Sequence, residues 1–196
     1  MHDLLWAQLE KLDVEATARR AMCTFDGDLY TYTVRLIDSD FTVDVRSRRM
    51  FRRNDPQKQA AFLEQLCILA YLINAADLHV TGRLVGADKL DSGQFFFRGP
   101  HELPTAKLEA AFGDEPGLLY DAVDRLAAER CEYGDASISL RVLPRLPIVF
   151  VIWARDEEFE ARASILFDET ADKQLPLDAL GAAVQLAVAR VIGCTD

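Results

Sequence analysis

The sequence predicts an α+β domain, an antiparallel or mixed sheet with helices packed on it. Three observations carry that prediction. Residues 30–45 and 137–167 contain stretches that alternate apolar and polar side chains, the period of a half-buried strand. Four other segments place apolar residues at spacings of three and four, the helical period. No internal repeat, low-complexity segment or linker divides the chain, so residues 1–196 are expected to form one domain around a sizeable core.

Taken in order, Leu4, Leu5, Leu9, Leu12 and Ala16, followed by Arg19-Arg20, predict one amphipathic helix over 3–20. Residues 1–22 are expected to lie at the periphery. Tyr30, Tyr32, Val34 and Leu36, then Phe41, Val43 and Val45, predict a hairpin turning at 37–40. Asp55-Pro56 has the residue types of a cap and a first-turn proline, which predicts a helix from there to about Asn74. Its second half, LCILAYLI, is apolar all round and belongs in the core. Residues 77–97 hold short extended pieces around Val80–Val85 and Gln94–Phe97. Thr105 is expected to cap a short helix ending at Gly113, and Pro116 to open a second running through Arg130. A three-stranded meander follows: Ser137–Val142, the apolar run Pro147–Trp153 covered on both faces, and Phe159–Phe167. Pro176-Leu177 starts a last helix to Ile192, stopped by Gly193.

Composition excludes some functions. With 22 Lys plus Arg against 32 Asp plus Glu, the formal charge of −10 opposes general attraction to nucleic acid or to an anionic membrane surface. The longest apolar run, Cys67–Ile73 extended to Ala76, falls short of the roughly 20 residues a spanning helix needs. The first residues carry acids instead of a basic leader, so a cytoplasmic protein is expected. Cys23, Cys67, Cys131 and Cys194 form no CxxC pair, which predicts reduced buried thiols and no metal site. Phosphate-cradling, dinucleotide, nucleophile-elbow and zincin motifs are all absent.

Three stretches hold candidate chemistry. The run Arg46-Ser47-Arg48-Arg49-Met50-Phe51-Arg52-Arg53 could bind a carboxylate or phosphate, but arginines at an element end also pair with surplus surface acids. The acids at 156–158 and 168–169 sit at opposite ends of one predicted strand, roughly 30 Å apart at ~3.3 Å per residue, too far to form a dyad. In GQFFFRGPHELPT, residues 93–105, a strand would turn Phe95 and Phe97 to one side and Phe96 to the other. Arg98 and His101 then follow at a turn before a helix start. A cation, an imidazole and free helix N–H groups beside an apolar wall suit an anionic or partly aromatic ligand.

The segments GQFFFRGPHELPT, PRLPIVFVIW and DEEFEARASILFDETADKQLP, in that order before a leucine-rich terminal helix, resemble a family of bacterial and archaeal proteins known as a domain of unknown function. The resemblance covers roughly residue 25 onward. It implies a setting largely in anaerobes, in low-potential or cofactor metabolism, because some relatives carry a small iron–sulfur cluster domain N-terminal to this one. Here only a short helix precedes Cys23, so no cluster is expected to be held in that way. Arg83 stands where the family pattern looks like tryptophan, and Glu160 where it looks like proline. The resulting expectation is an accessory domain that binds a small anionic ligand or cofactor, a tetrapyrrole among the candidates. Arg98 would pair with a carboxylate, His101 would be a hydrogen-bond partner or axial ligand, and Phe95 and Phe97 would form the wall. Two alternatives are an acid–base enzyme centred on His101 with Glu102, and an interaction partner of a separate iron–sulfur protein.

Overall fold

Two antiparallel sheets and a central pair of helices share one continuous core in the computed structural model, which describes residues 2–195. The N-terminal helix expected over 3–20 is broken in two, α1 (Asp3–Leu9) and α2 (Val14–Arg20). The break lies at Asp13, whose carboxylate accepts the Ala16 N–H at 2.7 Å and so caps a new helix. Trp6 and Leu9 of α1 are buried.

The first sheet runs in chain order through β1 (Thr24–Asp26), β2 (Thr31–Leu36), β3 (Ser39–Asp44), β4 (Arg49–Arg52) and β5 (Asp55–Gln59). Tyr32 pairs with Val43 and Val34 with Phe41, which lays the apolar positions of both strands on one buried face. The hairpin turn is tighter than expected: Leu36 pairs with Ser39, leaving only Ile37 and Asp38. Ile37 takes φ 55°, a left-handed conformation that a β-branched residue resists. Its buried side chain and the donation of its N–H to the Val142 carbonyl at 2.8 Å, in the second sheet, hold it there.

Asp55-Pro56 opens β5 and not a helix. This outer strand pairs only partly with β4, through Phe51 with Gln59 and Arg52 with Asp55 across a register shift, so the missing proline N–H is tolerated. Helix α3 (Phe62–Asn74) starts where Glu64 reaches back to accept the Ala61 N–H at 2.8 Å. Its apolar half, Cys67–Leu72, is buried as expected.

The second sheet has the order β6-β10-β9-β8-β7, formed by β6 (Leu84–Gly86), β7 (Glu129–Arg130), β8 (Ala136–Leu143), β9 (Leu146–Trp153) and β10 (Arg162–Asp168). The predicted meander is present. Its third strand begins at Arg162, later than Phe159, and its middle strand is buried on both faces. Between β6 and β7 lie α4 (Gly93–Phe96), α5 (Thr105–Phe112) and α6 (Asp121–Leu126), with 3₁₀ turns at Ala87–Lys89, Gly99–His101 and Pro116–Tyr120. The helix expected from 116 to 130 is therefore a 3₁₀ turn running into α6, closed by Ala127 in a left-handed conformation. After β10 come α7 (Ala171–Gln174) and α8 (Leu177–Ile192). Helix α8 packs along α3; α3 also touches β2, and α8 touches β8, so the helix pair joins the two sheets. No helix among the described residues is long and apolar enough to cross a membrane.

Two buried charges pin the loop that follows α3. The Arg145 side chain, in the β8–β9 turn, donates to the Arg20 and Leu78 carbonyls, each at 2.6 Å, and to the Asp77 carboxylate. The Arg145 backbone N–H meets the Tyr71 hydroxyl, which donates to the Ala21 carbonyl. At the end of β10, one Asp168 oxygen accepts the N–H groups of Thr81 and Gly82 and the Thr81 hydroxyl, at 2.7–3.0 Å. Its other oxygen accepts from the Thr170 N–H and hydroxyl, at 3.1 and 2.6 Å.

Candidate functional site

Residues 93–96 are helical, not extended, and Phe97 caps that turn, which changes where the side chains go. Ser92 takes a left-handed φ of 62°, which turns the chain into α4. Gly93 sits so close to the Ala87 carbonyl that a Cβ there would collide with it. Successive residues of a helix rotate by about 100° instead of alternating, and Phe97 leaves the helix at its cap, so the three phenylalanines point in three directions. Phe95 and Phe97 therefore do not share a side.

Phe95 points into solvent, 72% exposed. Phe96 stacks on the His101 ring, centroids 4.7 Å apart, and meets Phe97 edge-on at 5.1 Å. Phe97 turns inward, parallel to Phe167 of β10 at 6.5 Å and within van der Waals reach of Gly181 on α8. The whole segment is anchored by the Asp91 N–H, which donates to Asp172 of α7 at 2.8 Å.

Phe97 and Arg98 line a cleft of about 310 Å³ together with Asp88, Gln94, Glu102 and Thr105. Phe95 and His101 are not among its lining residues. Arg98 is exposed, and among the described residues its guanidinium has neither a hydrogen bond nor an ion pair. Thr105 is the first residue of α5 instead of its cap; Pro104 occupies the cap position, and no side chain caps that end. Thr105 brings the start of α5, with its partial positive charge, to the wall of the same cleft. Asp88 and Glu102 supply acceptors, Asp88 being engaged with Lys89 at 3.1 Å. His101 has no carboxylate partner among the described residues and rests on Phe96, without the orienting group that acid–base work requires.

The arginine run is largely occupied by the fold. Arg48 makes paired hydrogen bonds to Glu10 at 2.6 and 2.8 Å, and Arg52 binds Glu64 at 2.5 Å and lies over Phe41. Arg46 and Arg49 lie over Tyr30 and Phe51. A cleft of about 610 Å³ beside β5 and the start of α3 includes the committed pair Arg52–Glu64. All four cysteines are free; burial pushes the Cys23 and Cys67 thiols up to about 12, so neither is a thiolate at neutral pH. Among the described residues, no three His, Cys, Asp or Glu side chains come together to hold a metal ion.

Residues 13–190 match the family model described as Domain of unknown function (DUF3786). The chain belongs to this family. The DUF3786 match begins at the cap of α2 and ends within α8, so it takes in both sheets and the Arg98 cleft. No curated protein and no solved structure matches the chain.

Proposed function

We propose that this DUF3786 domain is a non-catalytic cytoplasmic binding module, and that the cleft between α4 and α5 takes a compact ligand bearing a carboxylate or similar anion. The observation that carries this reading is Arg98: in a chain of net charge −10, it stands unpaired at a cleft walled by an inward-turned phenylalanine. Arginine offers a planar fork of donors that matches a carboxylate in two places. Phe97 gives a flat apolar surface, held still by Phe167 behind it. Asp88 and Glu102 accept from donors elsewhere on the ligand, so a molecule with both an anionic end and an N–H or O–H group fits best. At about 310 Å³ the cleft lies at the small end of ligand pockets, which favours a single-ring or two-ring molecule over a tetrapyrrole.

The test is the content of the purified protein. Protein prepared without oxygen is denatured, and the released small molecules are compared by mass spectrometry between the parent and Arg98→Glu. A small organic acid present in the parent and depleted at least tenfold in the variant is the expected result. Equal recovery from both, with the variant shown to be folded, would overturn the role of Arg98. A tetrapyrrole absorption band in the parent would overturn the limit on ligand size.

A further inference from the structure

The loop end of the β9–β10 hairpin holds a second cleft, of about 350 Å³, whose chemistry differs from that at Arg98. Trp153 and Arg162 are cross-strand partners at the last rung of the ladder, and the guanidinium lies over the indole at 4.4 Å. Beyond them the chain leaves the sheet, yet residues 154–161 are not slack. The Ala154 N–H donates to Asp135 at 2.8 Å and the Arg155 N–H to the Gly113 carbonyl at 3.0 Å. One oxygen of Asp156 accepts the N–H groups of Glu158 and Phe159, at 2.8 and 2.7 Å, while the Asp156 N–H donates to the Phe159 carbonyl at 3.0 Å.

This locked turn presents Phe159, which is 69% exposed and stacks on no other ring among the described residues. A phenylalanine left in water forgoes the free energy of burial, so a backbone network that fixes one in place is informative. Phe159 and Trp153 both line the cleft and make no ring contact with each other, so two separate aromatic surfaces border this slot. Asp135, Asp156 and Glu160 also line it. The oxygens of Asp135 and Asp156 not used by the turn are acceptors. Glu160 has only a loose contact, 3.8 Å from Arg155.

We propose that this slot is a binding site for a planar heterocycle that carries amino groups and no phosphate. Flat rings stack on Phe159 and on the Trp153–Arg162 platform, and the carboxylates accept from exocyclic amino groups. An anion meets three carboxylates against one guanidinium already engaged by the indole. The site is distinct from the Arg98 cleft: Phe167, behind Phe97, and Arg162 are five residues apart on β10, roughly 17 Å at ~3.3 Å per residue.

Adenosine and adenosine monophosphate are the probes, titrated against tryptophan fluorescence excited beyond nucleoside absorption. Trp153 is the partly exposed tryptophan, and Trp6 contributes a buried constant background. Saturable quenching by adenosine is expected, at least tenfold weaker with the monophosphate. Affinity should fall at least tenfold in Phe159→Ala and stay unchanged in Arg98→Ala. Non-saturating quenching, equal affinity for the monophosphate, or an undiminished response in Phe159→Ala would each overturn the proposal. Parallel loss in Arg98→Ala would also overturn it, by assigning adenosine to the other cleft.

Discussion

Arg145→Ala is expected to lower folding stability by about 2–4 kcal/mol, through the hydrogen bonds that its buried guanidinium gives to two backbone carbonyls. Arg145 is only 6% exposed, and its guanidinium serves three elements at once: the end of α2, the loop after α3 and the β8–β9 turn. Truncation leaves the Arg20 and Leu78 carbonyls without their charged donor, and a hydrogen bond to a charged group contributes about 1.5–3 kcal/mol. The ion pair contributes less, because Asp77 is largely exposed. Arg145→Lys keeps the charge but lacks the fork, so it should recover only part of the loss. Urea unfolding checks both variants; a loss below about 1 kcal/mol for the alanine variant contradicts the account.

The second large effect belongs to Asp168→Asn, expected to destabilise by about 3 kcal/mol near neutral pH. The fully buried carboxylate accepts five hydrogen bonds. An amide has one oxygen, so whichever way it is turned, its NH₂ faces two or three donors. Burial alone would raise the Asp168 pKa, but the hydrogen bonds from Thr170, Gly82 and Thr81 outweigh it and hold the group below the ordinary carboxylate value. A depressed folded pKa means that the stabilisation is complete above the unfolded value, about 3.9, and is lost as pH falls through the folded value. The gap in stability between parent and Asp168→Asn should therefore be widest at neutral pH and shrink in strong acid. A gap that grows on acidification would contradict that linkage.

Much of the fold was legible because its longest elements have unambiguous periods. The alternation at 137–142 and the unbroken apolar run 147–153 lead directly to β8 and β9, and the all-round apolar half of α3 lands in the core. The failures share a cause: a local signal with two meanings. Asp55-Pro56 serves a helix start or an outer strand equally well, and only the hairpin with β4 selects the strand. Three phenylalanines in a row have no period, so the left-handed Ser92 and the tight approach of Gly93 to Ala87 decide that Phe95 and Phe96 wind into α4, with Phe97 as its cap.

The candidate site divides along the same line. Arg98 and Phe97 reach one cleft, whereas the helical turn that sequence periodicity missed sends Phe95 to solvent, and His101, in the following 3₁₀ turn, stacks on Phe96 outside the cleft lining. Arg145 gave no signal and Asp168 only that of a strand-end acid, since a charged residue at a turn or strand end reads as exposed until the loop that buries it is placed. The Phe159 slot was equally hidden: its acids read as a solvated hairpin turn, and it needs Trp153 from the neighbouring strand.

Amide chemical-shift mapping of the ¹⁵N-labelled domain with 4-aminobenzoate tests the central claim most directly. This probe carries a flat ring for Phe97, a carboxylate for Arg98 and an amine for Asp88 or Glu102. Saturating shifts confined to the amides of residues 87–105 and the neighbouring strand β10 near Phe167, abolished in Arg98→Ala, are the predicted result. Shifts that saturate elsewhere, or that persist unchanged in Arg98→Ala, would contradict a binding cleft built on Arg98 and Phe97.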